Sequence, residues 1–87
     1  MKILKFYADW CSPCKLLTKN IDKFVASHPE VNVEIIPINV DENEDKCSEY
    51  KVSNIPVLIK LNDDNAEIAR SHGAIPIDKL EKFIFEE

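Results

Sequence analysis

Cys11-Ser12-Pro13-Cys14 is the segment whose residue types and spacing carry chemistry. Two sulfurs one helical turn apart are close enough to close a small disulfide ring. They are also inequivalent. Counting back along the apolar stripe from Leu17 and Ile21 reaches Cys14, which is therefore expected to be buried, while Cys11 lies before the helix at a cap position. A thiolate at a cap accepts a hydrogen bond from an otherwise unpaired backbone N–H, here that of Cys14, and feels the positive end of the helix dipole. Its pKa falls, and Cys11 becomes the better nucleophile. Pro13 has no N–H to lose there and stiffens the ring. The chemistry this asymmetry permits is thiol–disulfide exchange: Cys11 attacks a disulfide, and Cys14 resolves the mixed disulfide that results. Oxidation of a substrate by the reverse path is equally open, since potential alone sets the direction.

The elements needed to hold this pair can be read on either side of it. Residues 2–8 are apolar and aromatic with few breaks and predict a buried strand that ends at the Asp9-Trp10-Cys11 turn. A helix is expected over 12–27, with Leu17, Ile21, Phe24 and Val25 at i, i+4, i+7 and i+8, stopping at His28-Pro29. Residues 31–40 are rich in β-branched types and predict a second strand, with Pro37 implying an edge or irregular position. Asp41 or Asn43 caps a short helix reaching Lys51. Strands over 57–61 and 66–70 follow, joined by the turn Asn62-Asp63-Asp64-Asn65. Pro76 suits the first turn of a closing helix with Ile77, Leu80, Phe83 and Ile84 on its apolar face.

The order is βαβαββα, an α/β fold with a four-stranded mixed sheet flanked by helices: a right-handed parallel crossover, then an antiparallel hairpin. Its reacting group belongs at the C-terminal end of the first strand, where the cysteine pair falls.

At 87 residues and 45% hydrophobic content, the chain suits one domain spanning 1–87 and no second module. A net charge of −5, with acidic residues scattered among lysines, argues against nucleic-acid or anionic-membrane binding. The densest acidic run, Asp41 to Asp45, reads as a solvated helix start. Met1-Lys2-Ile3-Leu4-Lys5 reaches Asp9 before any long apolar run, so neither a signal peptide nor a membrane span is expected, and the expected location is cytoplasmic. In such a reducing compartment three cysteines do not form a structural framework.

The run Phe6-Tyr7-Ala8-Asp9-Trp10-Cys11-Ser12-Pro13-Cys14-Lys15 resembles the active-site segment of the thioredoxin family, an aromatic-rich strand leading into Trp-Cys-x-Pro-Cys-Lys. Asn54-Ile55-Pro56 resembles the family's cis-proline loop, and His72-Gly73-Ala74 its last substrate-facing loop. The resemblance implies a thioredoxin fold and a protein-disulfide oxidoreductase without a prosthetic group or metal. It implies a cis Pro56 packed on the cysteines, an Ile55 backbone that pairs with an extended substrate, and an apolar contact surface of Trp10, Ile55, Gly73 and Ala74. Protein disulfides would be the substrates and a thioredoxin-reductase-type flavoprotein, or a glutathione system, the source of electrons. Encounters through so small a surface would be weak and transient, with the protein itself a monomer.

Three departures from the family pattern stand out. The chain lacks the extra N-terminal strand and helix of longer members, and Ser12 replaces the commoner glycine. Lys5 stands where the family usually carries a buried aspartate, and that aspartate's usual lysine partner aligns with Pro37. A cation near Cys14 favours its thiolate and makes the couple more oxidising than in ordinary thioredoxins, unless Lys5 snorkels to water and changes nothing.

Competing readings attach to the same residues. A glutathione-dependent, glutaredoxin-like reductase would usually carry Cys-Pro-Tyr-Cys and a glycine pair, whereas Gly73 is the sole glycine here. A non-catalytic scaffold would keep the fold and dispense with the thiols. A metal site could recruit Cys47, His28 or His72, though no second closely spaced ligand pair exists. Cys47 reads as a buried, inert thiol three residues before Tyr50, and His28 and His72 as a helix end and a loop residue near the site. Trp10 reads as a part-exposed contact residue, Phe6 and Tyr7 as packing, and Asp9 as a solvated turn residue.

Overall fold

The computed structural model describes residues 1–85. Its elements run β1 (Lys2–Tyr7), α1 (Ser12–Ser27), β2 (Glu34–Asn39), α2 (Glu44–Glu49), β3 (Val57–Leu61), β4 (Glu67–His72) and α3 (Ile77–Phe85). The sheet order is β2-β1-β3-β4, with β1 parallel to β2 and antiparallel to β3, and β3 antiparallel to β4. This is the mixed four-stranded sheet that the element order requires.

Alternation along β1 and β3 divides the core between two faces. Ile3 and Leu58 pack with Leu17, Ile21 and Phe24 of α1 and with Leu80 and Ile84 of α3. Leu4, Phe6, Val57, Ile59 and Leu61 face the other way, where Cys47 and Tyr50 from the α2 segment cover them. Pro37 sits opposite Lys5 on the edge strand, where its missing N–H breaks no second ladder.

Several boundaries differ from the sequence expectation for identifiable reasons. Val25 is exposed, because the eighth residue after Leu17 lies about 80° around the helix from it, outside the buried stripe. β2 starts at Glu34, not Val31; Val31 and Val33 pack against the α1–α3 core instead of pairing. β4 starts at Glu67 and ends at His72, so His72 is a strand residue. Ala66 is kept in the turn, where its N–H donates to Asn62 Oδ1 at 3.0 Å and its carbonyl accepts from Asn62 N–H, also at 3.0 Å. α2 covers less than expected: Asn43 occupies the N-cap, Asp41 lies outside the helix, and Lys51 follows it with φ 54°. Pro76 precedes α3, and its carbonyl accepts from Leu80 N–H at 2.9 Å.

Asn65 holds φ 63° at the β3–β4 turn, a left-handed conformation that asparagine tolerates better than most residues. Asn65→Ala should therefore lower unfolding stability by about 0.5–1 kcal/mol while Asn65→Gly leaves it nearly unchanged, read as urea midpoints.

Candidate active site

β1 ends at Tyr7, and the chain turns through Ala8 to Cys11, whose N–H donates to Ala8 O at 3.2 Å. That turn delivers Cys11 to the N-cap of α1 with φ −93° and ψ 106°. Its sulfur accepts a hydrogen bond from Cys14 N–H at 3.2 Å. Pro13 in the first turn of α1 has no N–H to leave unpaired. Cys11 and Cys14 are joined as a disulfide, with Cα atoms 5.3 Å apart.

Both cysteines are nearly covered, Cys11 at 5% exposure and Cys14 at 2%. Their difference therefore comes from hydrogen bonding and helix position rather than from exposure. They form a small cluster with Ala8, against which Tyr7, Val40 and Ile55 pack.

The loop before β3 closes the site from the other side. The Ile55–Pro56 peptide bond is cis and Pro56 is buried. Gly73 N–H donates to Pro56 O at 2.9 Å, tying the β4–α3 loop to the proline loop. Gly73 adopts φ 82°, which only glycine takes without strain, so the one glycine of the chain is where the backbone needs it. Ala74 is half-buried and packs against the α1–α3 core.

Trp10 is 70% exposed beside the nucleophile candidate, and its Nε1–H donates to Asp41 Oδ2 at 2.9 Å. Asp41 is itself held by Asn39, whose Oδ1 accepts from Asp41 N–H at 2.9 Å. Sequence reading assigned Asp41 to the start of a helix and missed this partnership. Thirty-one residues separate Trp10 from Asp41, and no local pattern signals the contact.

Lys5 projects from β1 to the α1 side of the sheet, where its Nζ donates to Thr18 Oγ1 at 3.0 Å. The ammonium also lies 5.5 Å from the centroid of the Tyr7 ring. Burial pushes the Lys5 pKa below the ordinary lysine value, and the Asp22 carboxylate partly opposes this. Free snorkelling into water is thus replaced by a fixed polar contact. Thr18 went unnoticed in the sequence because a threonine in mid-helix has no signature of its own.

A cavity of about 430 Å³ opens beside Cys14, lined by Tyr7, Ala8, Asp9, Cys14, Lys15, Thr18 and Lys19. Cys47 lies on the opposite side of the sheet and is half-buried rather than fully buried, a correction to its reading as a core thiol. His28 stacks on Phe24 at the far end of α1, with ring centroids 4.4 Å apart. No group of three or more His, Cys, Asp or Glu side chains among the described residues could hold a metal ion.

The thioredoxin family model matches residues 1–86. The chain belongs to the thioredoxin family. It is similar to thioredoxin from Chlamydia pneumoniae, with 41% identity over 71 residues that cover 82% of this chain and 67% of the relative. Thioredoxin from Chlamydia trachomatis serovar D is 38% identical over 82 residues, covering 94% of this chain and 78% of its own length. Among solved structures, oxidised mitochondrial thioredoxin 3 from Saccharomyces cerevisiae superposes with a TM-score of 0.83 at 32% identity, covering 99% of this chain and 77% of that one. Membership in the thioredoxin family, together with a Cys-x-x-Cys pair at disulfide distance, makes this protein a thiol–disulfide oxidoreductase. No helix among the described residues is long and apolar enough to cross a membrane.

Proposed function

We propose that Cys11 is the attacking thiol and Cys14 the resolving one in the reversible reduction of protein disulfides. The observation that carries this assignment is the 3.2 Å hydrogen bond from Cys14 N–H to Cys11 Sγ at the N-cap of α1. In the reduced protein the same N–H and the dipole end stabilise a Cys11 thiolate. That thiolate attacks one sulfur of the substrate disulfide, and the other sulfur departs as a thiolate that takes up a proton. Cys14 then attacks Cys11 and frees the second substrate thiol.

The substrate segment lies extended along the Ile55 backbone at the Pro56 loop, a pairing that strand-addition chemistry supports. Trp10 and Gly73 flank it; Ala74 acts at the edge, since its side chain packs into the core below. The 87 residues act as one monomeric domain without a cofactor of their own, in the cytoplasm, recharged by a thioredoxin-reductase-type flavoprotein. A half-buried thiol in Cys47 accords with such a reducing setting.

Dithiothreitol-driven reduction of insulin tests the reading. Added in micromolar amounts, the protein should shorten the lag before insulin precipitates several-fold. An unchanged lag would refute protein-disulfide reduction and favour the scaffold reading.

A further inference from the structure

Lys5 and Thr18 occupy an informative place relative to Cys14. Thr18 follows Cys14 by one helical turn, a spacing that puts side chains on the same face with Cβ atoms roughly 5–6 Å apart. Both line the cavity beside the disulfide, as does Tyr7. The Lys5 ammonium sits behind this wall, donating to Thr18 Oγ1 at 3.0 Å and lying 5.5 Å from the Tyr7 ring centroid. Its sheet neighbours, Pro37 on β2 and Leu58 on β3, bring no charge. Asp22 lies on α1 one turn beyond Thr18, and Asp9, Lys15 and Lys19 line the cavity itself.

We infer that Thr18 is a positioning residue for the redox reaction: its hydroxyl holds the Lys5 ammonium against the Cys14 face of α1, where that charge stabilises the Cys14 thiolate. The inference rests on Cys11 and Cys14 being the reacting couple. In the resolving step Cys14–SH gives its proton to solvent through the cavity, and its sulfur electron pair forms the Cys11–Cys14 bond. The Cys11–substrate S–S bond breaks, its electron pair leaves on the substrate thiolate, and that thiolate takes up a proton. Lys5 transfers nothing. A fixed cation lowers the cost of the Cys14 anion and leaves the neutral disulfide untouched, so it eases loss of the Cys14 proton in the resolving step and, at a pH where Cys14 ionises, favours the reduced state and makes the couple more oxidising.

Reduction potentials of the full chain, measured by equilibration with glutathione at a pH where Cys14 ionises, test this together with single-turnover decay of a mixed disulfide at pH 7. Lys5→Met keeps the stem and removes the charge; it should shift the exchange equilibrium about tenfold toward the disulfide, or about 30 mV more reducing. Thr18→Val should give roughly half the shift on the logarithmic scale and slow decay of the mixed disulfide about threefold, whereas Thr18→Ser should restore wild-type values. In the Lys5→Met background Thr18→Val should add nothing. Unchanged potentials in Lys5→Met and Thr18→Val would overturn the inference. So would a Thr18→Val effect that persists without Lys5. A wild type that fails to reduce insulin would instead strike the underlying couple, so the two failures are distinguishable.

Discussion

Cys11→Ser should return dithiothreitol-driven insulin reduction to the rate of dithiothreitol alone, and Cys14→Ser should accumulate a covalent adduct with substrate. The two outcomes differ because the cysteines differ in position. Serine at the N-cap still accepts the Cys14 N–H, so the helix start survives, but a hydroxyl is no nucleophile at neutral pH without a base. The remaining thiol, Cys14, is set back one turn within α1 and has no N-cap position where a backbone N–H and the dipole end would stabilise its thiolate, so it does not take over the attack. Cys14→Ser leaves the attacking sulfur in place with its backbone donor, since the residue-14 N–H is unaffected. Attack proceeds, resolution does not, and the mixed disulfide should persist for minutes to hours, the timescale of uncatalysed disulfide rearrangement. Mass spectrometry of the non-reduced mixture reads both results. An adduct in Cys11→Ser but not in Cys14→Ser would reverse the assignment.

The parts of this site that were legible in the sequence are those fixed by local rules. Pro13 and Cys11 mark the start of α1 and Pro29 its end, and the helix occupies the expected residues Ser12–Ser27. Cys14 is buried because it continues the Leu17–Ile21 stripe. What escaped depends on residues meeting across the sheet. Asp41 looked like helix-capping acid and instead accepts from Trp10 Nε1–H, a role set by where β2 ends beside β1. Thr18 gains significance only because Lys5 points at it from another element.

Lys60 is the sharpest case. It is the one charged residue in the strand Val57–Leu61, and it is 0% exposed. Its Nζ donates to Phe83 O at 3.1 Å and to Ile84 O at 3.0 Å, in the last turn of α3, where backbone carbonyls lack intrahelical partners and the dipole favours a cation. Nothing within reach of a sequence window announces that helix end. The register of β3 on β4 and the covering of that face by α3 create the need for the charge.

Phe24→Ala should be the most destabilising of the conservative core changes at α1, and its sequence neighbour Val25 supplies the control. Phe24 is 1% exposed and joins Leu17 and Ile21 in the core shared with Leu80 and Ile84 of α3. Its ring also stacks on His28 at 4.4 Å and meets Phe85 at 5.7 Å between centroids, so truncation loosens the end of α1 together with α3. A buried Phe→Ala change costs about 3–5 kcal/mol. Set against a domain stability of about 5–15 kcal/mol, that is a large share, and for a chain of 87 residues the reserve lies toward the lower end. With a urea slope of about 1–3 kcal/mol per molar, the unfolding midpoint should fall by roughly 2 M. Val25→Ala, at a position 47% exposed, should stay within about 0.5 kcal/mol of wild type. Equal losses at the two positions would mean that α1 does not present the face described, and with it the burial of Cys14 one stripe further up the helix would fail.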